Sequence, residues 1–284
     1  MEVKKVGVLG AGTMGAGIAQ VSIEAGLPVV LVDIESAVLE KAIKGLGKAW
    51  QKAVDKGKLS EEDKMKWQAL LTTSGDLKSF ADCDVVIEAI VENMDIKKKV
   101  FQQLDSICPE HTILASNTSA LSITEIASAT KRADKIVGMH FFNPVPVMKL
   151  VEVIPGAETT DEATAAVMEL CIKIKKEPVK AKEVPGFIVN RLLVPYLNEA
   201  AFAYQEGVAS AEEIDKAMKL GANMPIGPLA LCDMVGIDVL LSVCEYYWRE
   251  FGDSKYRPSL ALKSKVRAGH LGIKTGKGFY DYTK

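Results

Sequence analysis

Two groups of residues in this chain could do chemistry: a glycine-rich turn near its start, and a histidine with a single acid a short distance along. Val6-Gly7-Val8-Leu9 is an apolar run that breaks into Gly10-Ala11-Gly12-Thr13-Met14-Gly15, and a helical pattern follows at once. Gly10 permits a tight strand-to-helix turn, Gly12 lacks the Cβ that would hold a phosphate away, and Gly15 lets the helix lie close on the sheet. The N–H groups of the helix start, at Ala11, Thr13 and Met14, point at an anion. Such a run builds a pyrophosphate pocket. A GxGxxG string alone is a weak signal, because a stabilising turn in another α/β domain has the same letters. The surroundings sharpen it: an amphipathic segment from Thr13 to Ala25, Gly26 as its cap, then a second apolar strand ending at Asp33. Asp33 stands 18 residues past Gly15, the spacing at which a carboxylate reaches adenosine ribose hydroxyls. A carboxylate there repels a 2′-phosphate. Ile34-Glu35-Ser36-Ala37-Val38 supplies no arginine to compensate, and Lys41 is the nearest cation, so NAD is expected rather than NADP.

A nicotinamide that moves a hydride needs a side chain that moves a proton. The chain has three histidines, His111, His140 and His270. His111 precedes an apolar strand and reads as a surface turn; His270 lies in a Gly-rich tail with no acid within four residues. His140 ends the strand Lys135–Phe141, beside Phe142-Asn143-Pro144-Val145-Pro146, where ligands approach open α/β sheets. Twelve residues on, Glu152 is the one acid of Lys149–Ile154. Two strands joined by that Pro-containing loop bring Glu152 against the ring. The local pattern fits a core histidine and a solvated edge glutamate equally well.

The elements that position these residues alternate. Strands are expected at Lys5–Leu9, Val29–Val32, Asp84–Ala89, Thr112–Ser116, Lys135–Phe141, Lys149–Ile154 and Val179–Lys182, with helices between, the pattern of a mostly parallel, doubly wound sheet. Ser36 to Trp67 departs from it and reads as two long helices, the second opening at a cap-like Ser60. After Glu183-Val184-Pro185-Gly186 the strand patterns end. Ile188–Gln205, Ser210–Leu220, Ile237–Phe251 and Ser259–Ala268 read as helices, with Ser210 and Glu213 as a capping box and Gly207, Gly221, Gly252 and Gly269 as stops. The expected domains are therefore 1–183, carrying a helical hairpin at about 36–70, and an all-helical 184–284, with substrate in the crevice between them.

The totals set outer bounds. The 284 residues suit two domains, and 48% hydrophobic with 25% charged is an ordinary globular composition. A formal charge of −2 gives no reason to expect nucleic acid or an anionic membrane as partner, and no apolar run approaches a membrane span. Cys83, Cys108, Cys171, Cys232 and Cys244 are scattered without a CxxC pair, so no metal site is expected, and their thiols read as reduced ones in a cytoplasm.

The segments VGVLGAGTMGAGIAQ, DVVIEAIVENMDIKK, ILASNTSALSITEIA, GMHFFNPVPVMKLVEVI, VPGFIVNRLLVPYLNEA and KTGKGFYDY, from Val6 to Tyr282, resemble the 3-hydroxyacyl-CoA dehydrogenase family, most closely its bacterial 3-hydroxybutyryl-CoA branch. The resemblance implies a Rossmann-like α/β domain followed by an all-α substrate and dimerisation domain. It also implies hydride transfer between NAD(H) and C3 of a 3-hydroxyacyl-CoA, in fatty acid or butyrate metabolism. By the same resemblance, His140 is the general acid/base, Glu152 orients and polarises it, and Ser119 and Asn190 hold the substrate. Glu92, Lys97, Ser119, Asn143 and Lys274 match cofactor contacts, and Lys52 and Lys56 fall where the family's hairpin meets coenzyme A. On composition alone those two lysines also fit a solvated basic face. A homodimer or higher homo-oligomer is implied as well. Two rivals share the plan: a gulonate-type sugar-acid dehydrogenase, against which the lysine-bearing hairpin and KTGKGFYDY speak, and a non-catalytic, crystallin-like NAD binder, against which Ser119, His140, Glu152 and Asn190 speak together.

Overall fold

The structure, a computed structural model, describes residues 1–283 and divides into two compact units, Met1–Phe187 and Ile188–Lys284. The first unit runs β1 (Val6–Leu9), α1 (Thr13–Glu24), β2 (Val29–Val32), α2 (Ser36–Asp55), α3 (Glu61–Ala69), β3 (Leu71–Ser74), β4 (Val85–Glu88), α4 (Met94–Ile107), β5 (Ile113–Ser116), α5 (Ile123–Ala127), β6 (Ile136–Phe141), β7 (Leu150–Pro155), α6 (Asp161–Lys173) and β8 (Glu177–Lys180). Its eight strands form one sheet in the order β3-β2-β1-β4-β5-β6-β7-β8, parallel throughout except where β6 meets β7.

Every residue of β1, β2, β4, β5 and β6 is buried, because helices cover both faces of the sheet. Alternate residues then feed two cores. Val29 and Leu31 belong to the core that also holds side chains of α1, α2 and α6, while Val30 and Val32 belong to the one that holds Phe101 and Leu104 of α4 and Ile123 and Ile126 of α5.

The inserted hairpin is α2 and α3. Helix α2 buries Leu39, Ala42, Leu46 and Trp50, one stripe at helical spacing. Trp50 lies 5.9 Å from the Trp67 ring and donates its indole N–H to Glu24 at 3.1 Å, which fixes α2 against α1. Ser60 caps α3 by accepting the Asp63 N–H at 3.0 Å. The second helix is shorter than its pattern implied, at 9 residues against 20 for α2.

The second unit packs α7 (Val189–Gln205), α8 (Ala211–Gly221), α9 (Pro228–Val235), α10 (Ile237–Phe251) and α11 (Leu260–Arg267) around Leu197, Leu229, Cys232, Leu240 and Tyr247. The Ser210–Glu213 capping box is present. Four expectations need correcting. Strand β3 and helix α9 are additional to those read from the sequence, and β8 starts two residues earlier than expected. Gly221 does not stop α8 but is its last residue, and Asn223, at φ 54°, takes the left-handed position beyond it. Among the described residues no helix is long and apolar enough to cross a membrane, and no cluster of His, Cys, Asp and Glu could hold a metal ion.

Candidate active site

The three glycines of the first turn answer to different neighbours. Gly10 has φ 97°, and a Cβ there would lie 2.5 Å from the Ala89 carbonyl oxygen. A Cβ on Gly15 would lie 1.7 Å from the Gly10 oxygen, so the helix start closes onto the turn only with glycine. At Gly12, the N-cap of α1, a Cβ would meet no protein atom within 4 Å. Protein contacts thus explain Gly10 and Gly15, whereas Gly12 fronts open space beside N–H groups that have no intrahelical acceptor. That open space suits an anion.

Asp33 follows β2. Its Oδ2 accepts the Ala11 N–H at 2.8 Å and its Oδ1 the Glu35 N–H at 3.0 Å, so two amides hold the carboxylate at the edge of a cavity of about 570 Å³. Leu9, Ile34, Ala89, Ile90 and Val91 give that cavity apolar walls, and neither lysine nor arginine lines it. An adenosine fits such a lining, and a 2′-phosphate would find no cation there. A second cavity of about 370 Å³ continues past Gly12 and Thr13 to Lys41 on α2 and Asn143 on the β6–β7 loop. Val145 of that loop sits so close to α1 that a Cβ on Gly17 would lie 2.8 Å from its own Cβ. The buried Lys176 ammonium donates to the carbonyls of Val145 and Met148, and burial pulls its pKa below the usual lysine value.

His140 and Glu152 face each other across the antiparallel β6–β7 pair. Their register is direct, and Nδ1 lies 2.7 Å from Glu152 Oε2. The imidazole side chain is 7% exposed and the carboxylate is fully buried. A carboxylate can only accept, so Nδ1 carries the hydrogen and Nε2 is the nitrogen left for a substrate. Phe142 and Phe187 flank the ring, with centroids at 4.5 and 5.7 Å. The reading of His140 as a core residue beside a solvated glutamate does not fit this pairing.

Ser119 is half-buried in the loop after β5. Its N–H donates to Glu92 Oε1 at 2.9 Å and its hydroxyl lies 3.3 Å from the same oxygen, which also accepts the Thr118 hydroxyl at 2.6 Å. Lys97 sits 3.3 Å from Glu92 and 2.6 Å from Glu88, and Glu88 accepts the Ser116 hydroxyl at 2.7 Å. Lys97 was expected as a cofactor contact, yet its side chain is 1% exposed. It stands beneath Glu92 as that carboxylate's counter-charge. Asn117 also escaped the sequence reading, and its side-chain oxygen accepts the Phe141 N–H at 2.9 Å, tying this loop to the end of β6. A charged residue ending the apolar run VVIE was the available signal for Glu88; Phe142 and Phe187 left none.

The remaining expected residues are placed as follows. Lys52 lies exposed in the last turn of α2, and Lys56 is the exposed C-cap of the same helix. In the second unit, Asn190 is half-buried in the first turn of α7, and Lys274 pairs with Asp238 at 2.6 Å.

Known proteins resemble this chain over its whole length. A family model described as 3-hydroxyacyl-CoA dehydrogenase, NAD binding domain, matches residues 5–184, and one described as 3-hydroxyacyl-CoA dehydrogenase, C-terminal domain, matches 186–282. A 3-hydroxybutyryl-CoA dehydrogenase of Clostridioides difficile is 51% identical over 280 residues, covering 99% of this chain and 100% of the relative. The mitochondrial hydroxyacyl-coenzyme A dehydrogenase of Homo sapiens is 46% identical over 288 residues, covering 99% and 91%. The crystal structure of (S)-3-hydroxybutyryl-CoA dehydrogenase from Ralstonia eutropha superposes with a TM-score of 0.97 at 49% identity, covering 100% of both chains.

Proposed function

This chain belongs to the 3-hydroxyacyl-CoA dehydrogenase family and is an NAD-dependent oxidoreductase, and we propose that it interconverts (S)-3-hydroxybutyryl-CoA and acetoacetyl-CoA. The observation that carries the proposal is the buried His140–Glu152 pair, 2.7 Å apart at the end of a dinucleotide-binding sheet. The residues that would hold NAD are the Gly10–Gly15 turn for the pyrophosphate, Asp33 for the adenosine ribose, and Glu92, Ser119, Asn143 and Lys274 for the remainder. Bound NAD supplies the hydride acceptor for C3 in the oxidative direction and, once reduced, the donor.

His140 Nε2 takes the C3 hydroxyl proton as the alcohol becomes a ketone and returns it in the reverse direction. The imidazolium formed on oxidation faces the Glu152 carboxylate, which favours that charge and keeps Nε2 turned toward the substrate. Ser119 and Asn190 orient the substrate oxygen, a contribution of positioning. Lys52 and Lys56 meet the anionic coenzyme A at the end of the hairpin. A four-carbon acyl chain, drawn from fatty acid or butyrate metabolism, accords with the 3-hydroxybutyryl-CoA in the names of the C. difficile and R. eutropha relatives. Five free, buried cysteines support a reducing, cytoplasmic setting. Burial pushes the thiol of Cys83 up to about 12 and that of Cys108 up to about 11, so neither is a thiolate at neutral pH. A homodimer or higher homo-oligomer completes the proposal.

The test is loss of NADH absorbance with acetoacetyl-CoA, run beside NADPH, and gain of NADH absorbance from NAD with 3-hydroxybutyryl-CoA, run beside free sugar acids. Turnover that needs the thioester and prefers NADH is expected. Equal or better turnover of a sugar acid overturns the substrate class, and better use of NADPH overturns the cofactor preference.

A further inference from the structure

Val184-Pro185-Gly186-Phe187 forms a turn in which the Phe187 N–H donates to the Val184 carbonyl at 2.9 Å. Pro185 at its second position and Gly186, at φ 81°, at its third are the residues a type II turn requires. The next residue is unusual. Phe187 also has positive φ, 52°, a region that bulky side chains rarely enter and that persists only where surroundings impose it. Two sets of contacts impose it here. The ring is buried, 3% exposed, and packs on the His140 imidazole with centroids 5.7 Å apart and planes at 58°. Upstream, Glu183 is stapled to the start of α5, at the end of the β5–α5 loop: its Oε1 accepts the Ser122 hydroxyl at 2.5 Å and the Thr124 N–H at 3.0 Å, and its Oε2 accepts the Thr124 hydroxyl. That loop also carries Ser119.

From this arrangement we infer that Phe187 is a positioning residue for His140, held in its left-handed conformation by Glu183 so that its ring and that of Phe142 fix the orientation of the imidazole. Glu152 secures Nδ1 but leaves the ring free to tilt about that hydrogen bond. Phe142, 4.5 Å away, and Phe187 limit the tilt. Glu183 links this restraint to the Ser119 loop, so the proton-transfer group and the residue expected to hold the substrate oxygen share one anchored segment.

The inference rests on the reading of His140 as the proton-transfer group, and its test has a readout that does not depend on turnover. Phe187→Gly tolerates the left-handed backbone and removes only the ring. With three histidines in the chain, the His140 imidazole C–H resonance is assigned in the full-length protein by its disappearance in His140→Gln. In Phe187→Gly that resonance is expected to lose the ring-current shift from Phe187. The kcat with acetoacetyl-CoA should fall about tenfold, less than the ~10²-fold that an ångström-scale misplacement can bring, with KM for NADH unchanged. Phe187→Tyr restores both. Phe187→Leu, which fills the volume without an aromatic ring, gives the same NMR readout if the glycine variant does not fold. An unmoved His140 resonance in the folded ring-less variant overturns the inference, as does an undiminished kcat. Full turnover in His140→Gln overturns instead the reading on which it rests.

Discussion

An imidazole hydrogen-bonded through Nδ1 to a fully buried carboxylate can do little with that nitrogen except hold it, so any proton transfer belongs to Nε2. His140→Gln removes the transferable proton while keeping similar bulk. Turnover should fall by about 10²–10⁴, or ~3–5 kcal/mol of transition-state stabilisation, as measured by steady-state NADH oxidation. Near-normal turnover would remove His140 from the mechanism. Glu152→Gln keeps the hydrogen-bonding shape but lets an amide N–H face Nδ1, which selects the wrong tautomer; a fall of about 10²–10⁴ is expected here too, with KM for NADH little changed. At this scale the residue types were legible and the local pattern alone left the His140–Glu152 pairing open. His140 and Glu152 stood out as a strand-end histidine and a lone acid in an apolar strand. Their pairing depends on the β6–β7 register, which a one-residue slip would have reversed. The Phe142 and Phe187 contacts arise from a loop and a turn whose course no periodicity encodes.

Elements with strong periodicity or definite caps were legible. Helix α10 matches its expected bounds, the Ser60 and Ser210 caps are in place, and the buried strands fall within a residue of expectation at most ends. Elements without such signals were not. Strand β3, LTTS, is a partly exposed edge strand with one strongly apolar residue, and α9 is short and begins at a proline in a Gly/Pro-rich stretch. The glycine turn makes its own prediction at this scale. Gly12→Ala meets no protein atom, so thermal stability should hold while KM for NADH rises; Gly15→Ala drives a Cβ into the Gly10 carbonyl and should destabilise the fold by about 1–3 kcal/mol or more. Equal effects of the two on melting temperature would mean that Gly12 does not front the cofactor. On the hairpin, Lys56→Ala should raise KM for the acyl-CoA and leave KM for NADH intact, and an unchanged acyl-CoA KM would return Lys56 to a solvated helix end.

For the molecule as a whole, the segment KTGKGFYDY turns out to carry architecture as well as resemblance. Asp233 on α9 is 1% exposed and accepts the N–H groups of Phe279 at 2.8 Å and Tyr280 at 2.9 Å and the Tyr282 hydroxyl at 3.1 Å. A Cβ on Gly278 would lie 2.0 Å from Asp233 Oδ1, and one on Gly272 would lie 2.2 Å from the Asp233 carbonyl oxygen. The glycines of the tail therefore make room for a carboxylate that gathers its last turn onto the helical unit. Tyr280 reaches a second buried carboxylate, donating to Asp215 at 2.7 Å, and Asp215 also accepts the N–H groups of Leu229 and Ala230 at the start of α9. Burial, and then these carboxylates, push the phenols of Tyr280 and Tyr282 well above their ordinary value of 10.0. A phenol with a raised pKa in the folded state supports folding fully below its unfolded pKa. That support is lost as pH climbs beyond about 10, because the unfolded chain ionises first. Alkaline loss of stability is therefore expected to begin near that pH, and Tyr282→Phe should delay it. Asp233→Asn turns one of the acceptor oxygens into a donor facing donors. Buried hydrogen bonds to a charged group contribute about 1.5–3 kcal/mol each, and each kcal/mol moves the melting temperature of a domain of this size by ~4–8 °C, so the helical unit should melt about 6–24 °C lower by calorimetry. An unchanged melting temperature in Asp233→Asn would mean that the tail is held by apolar packing of Phe279 against Tyr204, whose rings meet edge-on at 5.3 Å, rather than by the carboxylate.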